Sequence, residues 1–221
     1  MPYFFGRREG ERVRIEGADA RHLARSLRAR AGELVSVVQP EGRLLGVRLT
    51  EVSPTLVLGW VESEAEHRPE PSRRLTVAAA RLPAPALDLL LSRCTEAGAA
   101  GFLVVSADRS VARGDRPERW AAVCREAAML AGRLVVPEVR GPLSFQEAWA
   151  TAPTPLLLDR SGPPLAEVGE VATLFVGPEG GWSPRELALA GERRRSLGPR
   201  NLRADTAALV AVAVSLACSH G

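Results

Sequence analysis

The sequence predicts an α/β protein in two parts: a small β-barrel with one helix, then a larger domain built on a mostly parallel sheet covered by helices. Three observations predict it. Residues 63–72 (SEAEHRPEPS) are polar and charged, carry two prolines and have no periodic apolar positions, as an interdomain linker would. Before them the chain is a series of short β-type runs. After them strand-like and helix-like segments alternate, the rhythm of a parallel sheet with crossover helices. The expected division is a barrel over residues 1–66, a linker over 67–72 and a second domain over 73–221.

In the first part, residues 3–5, 12–15, 34–38, 44–52 and 55–61 are short runs of strand type, and Pro40, Glu41 and Gly42 make a hairpin turn between two of them. One helix interrupts the strands. Asp19 is its expected N-cap, His22, Leu23, Ser26 and Leu27 follow at helical spacing, and Gly32 ends it. In the second part, strands are expected at 75–80, 102–106, 134–139, 156–159 and 174–177. Helices are expected at 84–97 and 116–131, closed by Gly98 and Gly132, and at 144–151, where Ser144 and Glu147 have capping-box spacing. Ser183, Pro184 and Glu186 start a further helix with N-cap serine, proline at the first position and glutamate at the third. The last helix, 205–218, is almost wholly apolar and must be buried in the core or against a partner chain; Asp205 or Thr206 is its expected N-cap.

Two loops carry the functional signal. Gly177-Pro178-Glu179-Gly180-Gly181 and Leu197-Gly198-Pro199-Arg200 each follow an apolar strand and open a helix, about twenty residues apart. Such loops leave backbone groups free at the carboxyl ends of strands, where α/β proteins bind ligands. The G-x-G-x-x-G order is absent and there is no Walker lysine, so neither a dinucleotide fingerprint nor a P-loop is present. Arg200 and Arg203 lie beside a helix N-terminus, an unfavourable place for a cation unless an anion binds there.

Composition narrows the classes further. The chain has 221 residues, 46% of them apolar and 25% charged, the balance of an ordinary globular protein. Aromatics make up 5%, too few for an extended base-stacking platform. No run is long enough to span a bilayer, and the N-terminus lacks the order of a secretory signal, so a cytoplasmic protein is expected. Cys94, Cys124 and Cys218 are three and far apart, as are His22, His67 and His220, which gives neither a disulfide framework nor a metal site. All 29 basic residues are arginine, so lysine Schiff-base chemistry is excluded. Two arginine-rich regions stand out. Five arginines lie in the eleven residues 193–203, and eight lie in the first thirty residues against four acids. Two such clusters, in different domains, suggest an extended phosphate-contacting surface.

At these residues the sequence resembles the bacterial 16S ribosomal RNA (uracil-N3)-methyltransferases, the E-type small-subunit enzymes of the SPOUT superfamily. The likeness runs through Tyr3-Phe4-Phe5, the stretch from His22 to Arg28 with Gly32-Glu33, and Arg93-Cys94-Thr95-Glu96-Ala97-Gly98. It continues in Asp108-Arg109-Ser110-Val111, Arg119-Trp120, Glu126-Ala127-Ala128 and Gly132-Arg133. The most specific blocks are 177–182, close to G-P-E-G-G-[FW], and 197–207, close to L-G-x-R-I-L-R-x-E-T-A. Asn201 departs from an isoleucine, Asp205 from a glutamate, and Met129 and Leu130 from a glutamate–glutamine pair.

The resemblance implies an S-adenosylmethionine (SAM) enzyme with a deep C-terminal trefoil knot, a PUA-like RNA-binding barrel and a homodimer formed through the SPOUT domain. It implies methylation at N3 of one uridine of 16S rRNA, the position usually called U1498, in the small (30S) ribosomal subunit. The cofactor would sit among loops following Leu158, Gly177 and Leu197, with Gly181, Gly198, Arg200, Asn201, Leu202 and Thr206 contributing to its binding. Arg203 and Arg200 would contact the uracil or its phosphate, with Glu179 orienting them. Arg7, Arg8, Arg25, Arg28, Arg109 and Arg133 would contact RNA, and no metal is implied. The alternatives are a SPOUT enzyme acting on another RNA and a non-catalytic RNA-binding or ribosome-assembly factor.

Overall fold

The computed structural model describes residues 2–112, 114–166 and 168–217. The chain forms two compact units: Met1–Glu70 with Ala128–Val135, and Pro71–Ala127 with Val136–Gly221. The expected Cys218 and His220 lie outside the described residues.

The first unit is a six-stranded sheet of order β1-β4-β5-β6-β3-β2. Its strands are β1 (Tyr3–Phe5), β2 (Arg7–Glu9), β3 (Arg12–Glu16), β4 (Leu34–Gln39), β5 (Arg43–Val52) and β6 (Leu56–Glu66). Only β1 and β4 pair in parallel; the other contacts are antiparallel. Alternation does its usual work in β3, where Val13 and Ile15 are buried and Arg12, Arg14 and Glu16 face outward. Phe4, Val13, Ile15, Leu23, Val37, Leu45 and Val57 form the core.

Four features depart from expectation. The strand β6 continues to Glu66, through the first four residues of the polar stretch taken for a linker, because Ser63 to Glu66 pair with Gly46 to Arg43 of β5. Their polarity reflects solvent-facing ion pairs, such as Arg8–Glu64 at 2.8 Å, rather than a loop. The short β2 was hidden by its wholly charged sequence, Arg-Arg-Glu. The helix begins earlier than expected, as α1 (Gly17–Arg21), so Asp19 is not its cap; Asp19 is buried and accepts a 2.8 Å hydrogen bond from the Phe5 N–H. From His22 to Ser26 the helix widens into a π-helix.

Residues 128–135 complete this unit. Met129, one of the residues at which the sequence departs from the resemblance, is buried in its core. Gly132 lies so close to Tyr3 that a Cβ would come within 2.8 Å of the ring, and its φ of +67° favours glycine. The His67 ring donates to the Gly132 carbonyl at 2.6 Å, since a carbonyl can only accept. Arg133, 6% exposed, is held by Glu70 at 2.5 Å.

The second unit is an all-parallel six-stranded sheet of order β12-β10-β11-β7-β8-β9. In chain order its elements are β7 (Arg74–Ala80), α2 (Ala84–Glu96), β8 (Gly101–Ser106), α3 (Pro117–Ala131) and β9 (Glu138–Ser144). There follow α4 (Phe145–Thr151), β10 (Pro155–Leu158), β11 (Val171–Val176), α5 (Pro184–Ala190), β12 (Arg194–Arg195) and α6 (Ala204–Ala217). The strand expected at 134–139 starts at Glu138 instead, because Leu134 and Val135 belong to the first unit and Pro137 lacks an amide N–H to give to a ladder. Both expected capping boxes form, at Ser144 with Glu147 and at Ser183 with Glu186. Along α6, Ala208, Ala211, Val212 and Leu216 are buried in a core shared with α2 and the sheet, while Val214 is 42% exposed. The chain returns from β10 to lay β11 between β10 and β7, so the ends of β10, β11 and β12 share one edge.

Candidate cofactor and substrate site

At that edge three loops enclose a cavity of about 400 Å³. The first supplies Leu158, Asp159 and Arg160; the second, residues 176–182; the third, Leu197, Gly198 and residues 200–204, with Ala207 behind them. Of the residues singled out from sequence, Leu158, Gly177, Glu179, Gly181, Leu197, Gly198, Arg200, Asn201, Leu202 and Arg203 all line it. Thr206 does not; it stands exposed inside the first turns of α6. Asp205 is likewise within the helix rather than its cap, because the Arg203 carbonyl already accepts from the Ala207 N–H at 2.8 Å. A carboxylate in a first turn is favoured by the helix dipole.

The loops are tied to one another. Trp182, 4% exposed, donates its indole N–H to the Leu158 carbonyl at 3.0 Å, joining the first loop to the second. Gly177 lies under that indole: a Cβ there would meet Trp182 Cε2 and Nε1 at 3.1 Å. Gly181, with φ of +68°, closes a turn by donating to the Pro178 carbonyl at 2.8 Å.

Below the glycine loop, Glu186 is 2% exposed and accepts from the backbone N–H groups of Ser183 (2.7 Å) and Asp108 (2.9 Å). The Ser183 hydroxyl donates to the Asp108 carboxylate at 2.5 Å, and Arg109 donates to the Gly180 carbonyl at 3.0 Å. Asp108 and Arg109 thus stitch the end of β8 to the glycine loop. Arg109, expected to contact RNA, spends one N–H on this loop and remains exposed.

Polar groups face the cavity without being consumed by the fold. Arg200, Arg203 and Glu179 are exposed and form no ion pair among the described residues. By contrast, Arg194 donates to the Gly191 carbonyl and the Ser161 hydroxyl, and Arg195 to the Glu192 carbonyl, so these two arginines of the basic run hold local structure. Asp159 and Arg160 were missed from the sequence; their position directly after an apolar strand was the available signal. Asp159 accepts from the Ser161 N–H at 2.9 Å and also from its hydroxyl. Trp182 and Gly180 were inside a recognised motif but were not assigned a place.

Elsewhere, Arg7 lies 3.9 Å from Glu9 and Arg8 2.8 Å from Glu64, whereas Arg25 and Arg28 are exposed with no carboxylate partner among the described residues. Cys94 and Cys124 are buried thiols, and burial pushes Cys94 up to about 12 with help from nearby Cys124 and Asp205. Among the described residues no group of three or more His, Cys, Asp or Glu could hold a metal ion, and no helix is long and apolar enough to cross a membrane.

A cleft outside the carboxyl ends of parallel strands, walled by glycine loops and edged by the exposed Arg200 and Arg203, defines a ligand-binding α/β domain. The model of an RNA methyltransferase domain matches residues 68–216. Relatives named ribosomal RNA small subunit methyltransferase E align along most of the chain. The Synechocystis protein is 30% identical over 91% of this chain and 71% of its own length, and the Mycobacterium bovis protein 31% identical over 90% and 83%. The chain belongs to this RNA methyltransferase family. Among solved structures, the Neisseria gonorrhoeae ribosomal RNA small subunit methyltransferase E bound to S-adenosylmethionine matches with a TM-score of 0.87, 25% identity and coverage of 99% and 98% of the two chains. A Legionella pneumophila methyltransferase with bound SAM shares the fold at a TM-score of 0.85 and 22% identity, covering 98% and 96%.

Proposed function

We propose that this chain is a SAM-dependent methyltransferase acting on N3 of a single uridine in 16S rRNA, the position usually called U1498, within the small ribosomal subunit. The observation that carries the reading is the convergence of residues 158–160, 176–182, 197–198 and 200–204 on one cavity edged by Arg200 and Arg203, which are exposed and form no ion pair among the described residues. Its volume, about 400 Å³, lies in the range of small-molecule sites. Its lining combines apolar Leu158, Val176, Leu197 and Leu202 with the backbone of glycine-rich loops, a donor set suited to a nucleoside with a polar tail. The named relatives and the SAM-bound gonococcal structure support both cofactor and RNA.

In this reading Leu197, Gly198, Asn201 and Leu202 hold the adenine through main-chain groups, and Gly177 and Gly181 let the second loop approach the cofactor without side chains. When bound, SAM supplies an electrophilic methyl group on a sulfonium. Uracil N3 carries a proton and becomes nucleophilic only as that proton leaves. Arg203 stabilises the charge that develops on the adjacent uracil oxygens, a preorganised electrostatic role. Arg200 holds the neighbouring phosphate, and Glu179 orients the guanidinium groups. Holding N3 in line with the methyl supplies the rest through positioning. The protein works as a cytoplasmic homodimer with a deep trefoil knot, the apolar α6 meeting the second subunit near Val214, and the first unit serves as a PUA-like RNA-binding barrel.

Arg203→Ala tests the assignment. Methyl transfer to rRNA should be lost while SAM affinity, measured by calorimetry, stays within severalfold of the parent. Turnover near the parental rate would remove Arg203 from the mechanism.

A further inference from the structure

The arginines of the first unit fall into groups by what lies beside them. Most of those on strands and near their ends lie beside glutamates: Arg7 with Glu9, Arg8 with Glu64, Arg14 with Glu16, Arg43 with Glu64, Arg48 with Glu62 and Arg68 with Glu66, while Arg12 lies over the Trp60 ring at 4.4 Å. Arg21, Arg25, Arg28 and Arg30 have no carboxylate partner among the described residues, and all four are exposed. They lie within ten residues on one continuous feature: the end of α1, the π-helix and the turn after it.

The local structure presents these four charges and removes the opposing one. Ala20 and Leu23 are fully buried and anchor the segment in the core. Asp19, the one nearby acid on α1, is 1% exposed and turned inward to the Phe5 N–H. Residues 20–32 contain no acid. The π-turn is closed by the Leu27 N–H on the His22 carbonyl at 3.0 Å, and the next turn by the Ala29 N–H on the Leu23 carbonyl at 2.9 Å. Between them Arg28 is held at φ of +53°, a left-handed conformation that a residue with a Cβ seldom adopts. Wide π-turns and left-handed non-glycine residues recur where function requires a side chain to be re-aimed.

We propose that this arginine turn is the surface by which the first unit grips RNA, and that it grips the phosphate backbone rather than the bases. Guanidinium forks match phosphate oxygens, and residues 20–32 contain no Phe, Tyr or Trp on which a base could stack. The surface docks and orients the substrate without reading sequence. The strand arginines with a glutamate alongside, such as Arg8 and Arg48, have a carboxylate that repels an approaching phosphate and so contribute less. This rests on the RNA methyltransferase reading above.

The test compares two variants with the same change in net charge. One replaces Arg21, Arg25, Arg28 and Arg30 with Gln; the other replaces the paired Arg8, Arg14, Arg43 and Arg48 with Gln. Both are titrated with unmodified 16S rRNA transcript across a series of salt concentrations. The turn variant should bind about tenfold or more weakly near 0.1 M salt, with its log–log salt slope shallower by about 0.7 per lost contact, up to roughly 3. The strand variant should stay within about threefold of the parent. Arg28→Gly guards against misfolding: glycine accepts the positive φ, so stability should hold while the slope still falls by about 0.7. Parental binding by the turn variant, or equal losses in both variants, overturns the proposal. SAM calorimetry on the same proteins is independent. Parental protein that fails to bind SAM would sink the methyltransferase reading, whatever the salt slopes show.

Discussion

Replacing Gly177 with alanine adds one methyl group in a place where the structure has no room for it. The new Cβ would sit 3.1 Å from Trp182 Cε2 and Nε1 and 3.4 Å from Cδ2. Apolar contacts settle near 3.5–4.0 Å, so the indole must retreat by about half an ångström. It is poorly free to do so. It also packs edge-to-face with Phe145, with ring centroids 5.3 Å apart, and its N–H is spent on the Leu158 carbonyl. Overpacking of this kind costs about 1–3 kcal/mol, and stretching the indole hydrogen bond adds up to about 1 kcal/mol. The φ of Gly177 lies outside the left-handed region, so an alanine there also restricts the unfolded chain and recovers about 0.4–1 kcal/mol. A net loss of about 1–3 kcal/mol is expected by denaturant unfolding. SAM affinity should fall by about tenfold, because the tie between the first and second loops is what moves. The penalty should largely disappear in a Trp182→Leu background, where the indole that meets the methyl is gone. Gly181→Ala is the contrasting case: its Cβ meets nothing within 4 Å, and the cost is the strain of φ +68°, roughly 1–2 kcal/mol. A Gly177→Ala protein as stable as its parent, or a penalty undiminished without Trp182, would refute this account of the loop.

Two further expectations concern buried groups. Glu186→Gln places an amide N–H₂ where one of two backbone N–H donors now meets a carboxylate, so unfolding should cost about 1–3 kcal/mol less and the Ser183 and Asp108 amides should exchange faster with solvent; unchanged protection of both would show that Glu186 does not hold the loop. Cys94, buried and pushed up to about 12, should resist thiol reagents at pH 8 in a Cys218→Ser protein and react only as fast as the fold opens, whereas rapid labelling of native protein would contradict its burial.

Much of this architecture could be read from residue patterns because local and global preferences agree. The alternation after residue 73, the serine–glutamate capping boxes and the two glycine loops all reflect backbone requirements that sequence states directly. What escaped depended on partners distant in the chain. The strand β2 is all charge, and its place in a sheet is visible only once β3 lies beside it. Glu64 looked like linker until Arg8 and Arg43 came within reach. Asp19 had the credentials of a cap, yet the Phe5 N–H claims it fourteen residues away. In the cavity, the motif residues were legible, but Asp159 and Arg160 were not, because nothing marks a short polar pair after a four-residue strand until β11 and β12 bring the other loops alongside. Counting arginines located the basic regions. Only their pairing shows which charges remain available.

On the proposed function, the cavity at the ends of β10, β11 and β12 directs a methyl group to uracil N3 in small-subunit RNA. The measurement is to incubate the protein with methyl-labelled SAM and unmodified 16S rRNA or 30S subunits, then map the product by nucleoside mass spectrometry. Label should appear in 3-methyluridine at one position of 16S rRNA and be absent when Arg203→Ala protein is used. Label in a different nucleoside, or SAM bound with no methyl transferred to either substrate, would contradict the proposed function.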